Sequence, residues 1–223
     1  MTRPEAETPP SFEVALAELP LFPLQQVVLF PGAKLPLHVF EPRYRKMLAD
    51  CLGSHRTMAV VLVPSPHPVD RHGHPPIAPV AGAGFVVEHQ ALPDGRSNIL
   101  LVGKARVSLE ELPFEAPYRR ARAKLLHDVP TEVSSADFSA LAQTATAFAH
   151  EVRKREQRFS FHLPPAATPA ELADACAQHL VIDADARQRA LETLDVRERV
   201  QLVTHELVSQ TAALSEARSE ILN

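Results

Sequence analysis

The stretch HPVDRHGHPP, residues 67–76, gathers His67, Asp70, His72 and His74. Imidazoles and a carboxylate this close together could ligate zinc or nickel. Neither a paired cysteine nor a helical H-E-x-x-H sets their geometry, and a proline-rich loop preorganises ligands poorly. No resident metal is therefore expected, and His67, His72 and His74 are the candidate ligands should one bind. No other cofactor is expected either. Gly82-Ala83-Gly84 lacks the third glycine of a dinucleotide fingerprint, because position 87 is Val87. Gly103-Lys104 is followed by Ala105 and has Asn98 where a phosphate-cradling loop needs its first glycine. A G-x-S-x-G nucleophile elbow is absent from the sequence.

Cationic residues form the second chemical feature. Arg120, Arg122 and Lys124 alternate with Ala121, Ala123 and Leu125, and Arg153-Lys154-Arg155 with Arg158 makes a basic run. Residues 119–124 could present a phosphate-binding strip for RNA. An exposed strand guarded by charge, and a helix end whose cations complement the dipole, would carry the same residue types. The chain as a whole has a formal net charge of -4 and a pI near 6.3, whereas nucleic-acid domains are usually basic. Nucleic acid is thus the alternative reading, not the leading one.

The third feature is apolar. LPLFPLQQVVLFPGAKLPLHVFEPRYRKML, residues 19–48, is mostly aliphatic, yet prolines interrupt it at 20, 23, 31, 36 and 42. No helix tolerates that spacing, and each proline deletes a ladder donor from a strand. Glu41, Arg43, Tyr44 and Arg45 lie beside this run and could rim a groove for a peptide. A helix opening, with Glu41 paired to a cation and Tyr44 packed inward, is the stronger reading of the same residues.

The elements that must position these groups change character along the chain. Val27–Phe30 is expected to be a short buried strand ended by Pro31-Gly32, and Leu35–Phe40 a second strand with Pro36 near an edge or bulge. Glu41-Pro42 reads as a helix start, and Tyr44, Met47, Leu48, Cys51 and Leu52 follow at helical spacing up to Gly53. Met58–Val63 is a buried-strand pattern. Residues 84–92 and 97–109 make two strands around the turn Pro93-Asp94-Gly95-Arg96. After residue 130 the period becomes helical. Ser134 or Ser135, Thr168 with Glu171, Asp183, and Asp195 with Glu198 mark four helix starts. Val196, Val200, Val203, Leu207 and Leu214 form a stripe that suits a bundle seam, and its continuation leaves a homodimer contact open.

The layout expected is α+β: a flexible tail over 1–18, a β-rich unit over 19–130 and a helical unit of about four helices over 131–223. Cys51 and Cys176, the only cysteines, sit in apolar helical patterns, which argues against a disulfide framework. The start, MTRPEAETPPSFEVA, lacks an apolar signal core, and no run approaches the ~20 apolar residues of a membrane span. A cytoplasmic protein with no membrane partner is expected.

The blocks LPLFPLQQVVLFPG and LPLHVFEPRY resemble the opening of the Lon protease amino-terminal, substrate-binding domain. The resemblance continues in GFVVEHQALPDGRSNILLVGKARVSL, in PYRRARAKLL and in LADACAQHLVIDADARQRALETLDVRERVQLV. It implies a PUA-like, highly curved β-barrel or sheet domain followed by a C-terminal helical bundle, used to engage protein substrates. It also implies a stand-alone, non-catalytic member, since neither the ATPase loop nor a protease domain can be found. On that resemblance the expected function is binding of unfolded or specific protein clients, as an adaptor or chaperone-like factor in protein quality control. Leu21, Phe22, Leu24, Phe40, Arg43 and Tyr44 are the expected contact residues.

Overall fold

The computed structural model of the chain describes residues 12–64, 69–163 and 165–221, with side chains described as far as Leu214. Six strands, β1 (Leu19–Leu24), β2 (Lys34–Val39), β3 (Thr57–Leu62), β4 (Val80–Ala91), β5 (Ser97–Glu111) and β6 (Arg120–Leu126), form one sheet in the order β2-β5-β4-β3-β1-β6. The additional β5–β6 pairing, from Arg106↔Leu126 to Glu111↔Ala121, closes the sheet into a barrel. The length of β5 makes closure possible: its first half pairs with β2 and its second half with β6. Closure removes free edges except along β2. There Gly103 N–H donates to the Ala33 carbonyl at 2.9 Å. The antiparallel alternation from that pair turns the missing N–H of Pro36 away from β5, which blunts the remaining edge.

The prolines of β1 are accommodated because that strand uses each neighbour only in part. It runs parallel to β3 from Leu21↔Ala59 to Leu24↔Leu62 and meets β6 only at Leu19↔Ala121 and Pro20↔Arg120. Residues 27–30 are not the strand that their apolar run predicts. Val28, Leu29 and Phe30 are fully buried but in irregular backbone that crosses the sheet. Gly82 and Gly103 allow the crossing: a Cβ on either would collide with the carbonyl of Leu29 or of Phe30.

The tail expected over 1–18 is shorter, at least from Phe12 onward. Phe12–Ala15 (α1) and a 3-10 turn over Leu16–Glu18 fold onto the barrel. Leu16 joins Leu19, Leu21, Ala59, Val61 and Ala121 in a compact apolar cluster. The apolar side chains at 12, 15 and 16 have somewhere to be buried, and that burial outweighs the local absence of a long helical pattern.

Helix α2 (Pro42–Leu52) starts at Glu41 with Pro42 in the first turn, and buries Tyr44, Met47, Leu48 and Cys51. The remaining helices are α3 (Ser135–Arg155), α4 (Pro169–His179), α5 (Ala184–Glu192) and α6 (Val196–Ile221). Their starts follow the side-chain caps: Ser134 accepts from Asp137 N–H, Asp183 accepts from Ala186 N–H, and Thr168 with Glu171 forms a reciprocal capping box. Such caps contribute about 1 kcal/mol each.

Barrel and helices share one core. Met58, Val60 and Leu101 from the sheet, with Phe30 from the crossing segment, pack in the same cluster as Leu141, Phe148, Leu172, Cys176, Val200 and Leu207. A buried polar seam crosses the same junction. Arg106 of β5 bonds the Leu191 carbonyl at 3.0 Å and Asp174 of α4 at 2.5 Å. Arg199 of α6, with no exposed surface, grips Asp128 through both terminal nitrogens at 2.8 and 2.7 Å and places Nε 3.2 Å from Asp174. Burial alone would raise the Asp128 carboxyl, but the charges of Arg199 and Arg106 more than offset it and hold its pKa low. The Asp174 carboxyl, more deeply buried, is pushed up.

Candidate functional site

The prolines and aromatic residues at the carboxyl end of β1 shape a cleft of about 340 Å³. Pro23 and Leu24 leave the barrel here, α2 begins, and the chain returns through Pro117, Tyr118 and Arg119 into β6. Proline at the first turn of α2 sets the direction of entry, and Tyr44, one turn from the start, reaches inward onto Phe22 with ring centres 4.6 Å apart. Only an edge of Tyr44 remains accessible, and burial pushes its phenol pKa up. The Arg43 guanidinium lies 4.7 Å from the Tyr44 ring centre and 2.9 Å from Glu41. Opposite, the Tyr118 hydroxyl donates to Asp50 at 2.8 Å, and burial, with this bond second, raises its pKa. Lys46 bonds the other side of the Asp50 carboxylate at 2.5 Å and holds it low.

The cleft therefore has an apolar floor, two tyrosines and a polar rim whose charges are already engaged. Such a surface can take an apolar side chain and satisfy a few backbone groups of a bound segment. It offers no nucleophile–base pair. The buried thiols of Cys51 and Cys176, pushed up to about 12 by desolvation, are poor nucleophiles.

Leu24, Arg43 and Tyr44 come together in this cleft as candidate contact residues. Leu21 and Phe22 do not, since both are buried core side chains with no surface to present. Phe40 is 58% exposed but lies outside the cleft lining, with its ring stacked toward His38. Tyr118, Arg119, His74 and Pro75 help to form the walls, although their sequence context points His74 to a metal and Arg119 to the basic strip rather than to a peptide cleft. The dipeptide Tyr118-Arg119 had a signal, an aromatic beside a cation at a strand entry, but nothing local ties it to Tyr44.

The basic strip over 119–124 is largely neutralised. Arg119 pairs with Glu111 at 2.6 Å and bonds the Pro75 carbonyl at 2.8 Å. Arg120 pairs with Glu18 at 2.6 Å and with Glu115, and Arg122 lies 3.5 Å from Glu110. Guanidiniums held by carboxylates are poorly placed to neutralise phosphates.

In the histidine-rich loop, His67 lies outside the described residues. Asp70 uses one carboxylate oxygen to accept from the backbone N–H groups of His72 and His74, each at 2.8 Å, which lowers its pKa. The rings of His72 and His74 pack on Phe114, with centres 5.1 and 4.4 Å away. Desolvation holds the His74 pKa low. Here the Asp and His residues build a turn and its packing; among the described residues no group of three or more His, Cys, Asp or Glu side chains could hold a metal ion. Among the described residues, no helix is long and apolar enough to cross a membrane.

Comparison with known proteins agrees with this architecture. The solved Lon N-terminal domain protein from Xanthomonas campestris superposes with a TM-score of 0.60 at 22% identity, covering 82% of this chain and 95% of that one. The N-terminal domain of Mycobacterium avium complex Lon protease gives 0.58 at 12% identity, over 86% of this chain and 98% of that one. A Lon protease from Roseiflexus castenholzii is 31% identical over 191 residues, 83% of this chain but 23% of that protein. A Lon protease from Anaeromyxobacter dehalogenans is 29% identical over 84% of this chain and 22% of its own length. The chain thus spans less than a quarter of these two relatives. The model of the ATP-dependent protease La (LON) substrate-binding domain matches residues 18–209, and the chain belongs to that family.

Proposed function

We propose that this chain recognises polypeptide segments of client proteins through the cleft between β1, α2 and the 117–119 strand entry, without catalysing a reaction on them. The carrying observation is the cleft itself, with Leu24 and Tyr44 at its floor and Arg43 at its rim. Membership of a substrate-binding family supports the same reading. An apolar side chain of the client would seat against Leu24 and Tyr44, and the Arg43 and Tyr118 polar groups would orient its backbone. Strand addition contributes less, because the β2 edge carries Pro36. In this role the protein is a cytoplasmic, non-enzymatic recognition factor in protein quality control, working as adaptor or chaperone-like holder. No cofactor enters the binding step.

The test is binding of a reduced, carboxymethylated, permanently unfolded protein, followed by fluorescence anisotropy. Leu24→Ser combined with Arg43→Glu should weaken binding about tenfold or more, and because Leu24 is half-buried against the core, circular dichroism checks that the variant remains folded. Binding that is unchanged by this double substitution sinks the reading.

A further inference from the structure

The basic run at the end of α3 has a use that the barrel cleft does not account for. Between the last turns of α3 and the returning segment 159–163 lies a groove of about 460 Å³. Its floor is apolar: Ala149 with Phe159 and Phe161, both half-buried against the shared core. Its rim is cationic or protonatable, with His150, Arg153 and His162 exposed. No carboxylate lines it. Leu163, at the mouth, is 38% exposed.

The neighbouring cations differ from those of the β6 strip. Arg153 has no ion-pair partner among the described residues, and among them the Arg155 guanidinium bonds the Leu214 carbonyl, at 2.7 Å, rather than a carboxylate. Lys154 is the exception, held by Glu151 at 2.5 Å. The negative end of the α3 dipole accounts for part of this clustering. It does not account for an apolar trough opening beside the cations, nor for Leu163 left at its mouth.

We infer that the α3 groove docks an acidic polypeptide segment that inserts one aromatic or aliphatic side chain between Phe159, Phe161 and Ala149. Charge complementarity selects the acidic character: Arg153 and Arg155 meet carboxylates, and no lining acid repels them. The volume suits one or two side chains, with the rest of the segment lying along the rim. A nucleic acid fits less well. Phe159 and Phe161 are half-buried against the core, which limits the ring face they offer to stacked bases, and the chain carries a net charge of -4. This surface is separate from the barrel cleft, so either can fail alone.

The probe is a short fluorescein-labelled peptide of aspartates and glutamates around a central Phe-Leu pair, titrated by anisotropy with the full chain. Arg153→Glu and, separately, Ser160→Trp, which fills the trough from an exposed loop position, should each weaken binding about tenfold. Replacing Phe-Leu by Ser-Ser in the peptide should do the same, while Leu24→Ser with Arg43→Glu leaves the titration unchanged. Circular dichroism on both groove variants distinguishes lost binding from lost folding, and a variant that unfolds is replaced by Thr146→Glu, another exposed lining position. Four results overturn the inference: no binding up to about millimolar peptide, equal binding of the Ser-Ser peptide, indifference to every groove substitution, or tighter binding of a single-stranded RNA of equal charge.

Discussion

The barrel cleft and the α3 groove are both apolar troughs rimmed by arginine, and they differ in how those arginines are spent. At the barrel, Arg43 is held by Glu41 and Arg119 by Glu111. At α3, Arg153 stands without an ion-pair partner among the described residues. A trough whose charges are internally balanced recognises shape and backbone with little regard to the sign of the client's charge. A trough with uncompensated charge discriminates by sign and weakens with salt. Residue composition alone does not separate the β6 strip from the α3 run, with Arg119, Arg120, Arg122 and Lys124 in one and Arg153, Lys154, Arg155 and Arg158 in the other; pairing does.

The most severe way to break the comparison is to remove what the two surfaces share. Arg199→Ala takes the two-pronged partner from Asp128 and leaves Arg106 as the one buried cation for both Asp128 and Asp174, and should destabilise the fold by about 3–5 kcal/mol. The measurement is urea unfolding, and binding at both surfaces should fall together. Arg199→Met, which keeps volume, should still be costly because the two carboxylates remain. Next comes Gly103→Ala, whose new methyl meets the Phe30 carbonyl. A loss of about 1–3 kcal/mol is expected, and the cleft should suffer more than the α3 groove because residues 27–33 are displaced.

A pH series sharpens the role of the seam. Asp128 has a folded pKa below its unfolded value near 4. The stability it contributes is therefore complete above that unfolded value and lost as pH falls through the lower folded one. In urea unfolding, the stability gap between the natural chain and Asp128→Asn should be widest above about pH 5 and close toward about pH 2. A gap that stays constant with pH would remove Asp128 from the account. The smallest effect belongs to the β6 strip: Arg120→Ala and Arg122→Ala should each change stability by about 1 kcal/mol or less and leave acidic-peptide binding at α3 intact.

How far the sequence could be read depended on the range of each interaction. Helix starts at Ser134, Thr168, Asp183 and Asp195 were legible because a cap bonds a backbone N–H within three residues. Alternation over Arg120–Leu125 was legible because strand faces have period two. Val27–Phe30 was misread since a short apolar run looks the same whether it lies in a ladder or is buried in irregular backbone. Only Gly82 and Gly103, distant in sequence, show that it crosses the sheet. Residues 12–18 were assigned to the tail because four helical residues leave little periodic trace. In the candidate cleft, Leu24, Arg43 and Tyr44 belong to one continuous segment, whereas Tyr118 and Arg119 arrive from the far side of the barrel.

The sequence by itself determined the helices from α2 onward with their caps, the β4–β5 hairpin, the change from extended to helical pattern near residue 130, and the family blocks, because all of these are written in local spacing. Tertiary structure alone decided that Leu21 and Phe22 are core and that the β6 arginines are neutralised. It alone brought Arg106, Asp128, Asp174 and Arg199 together at the junction of barrel and helices. The reason is physical: burial and charge pairing are properties of neighbours in space, and barrel closure joins residues that lie dozens of positions apart in the chain.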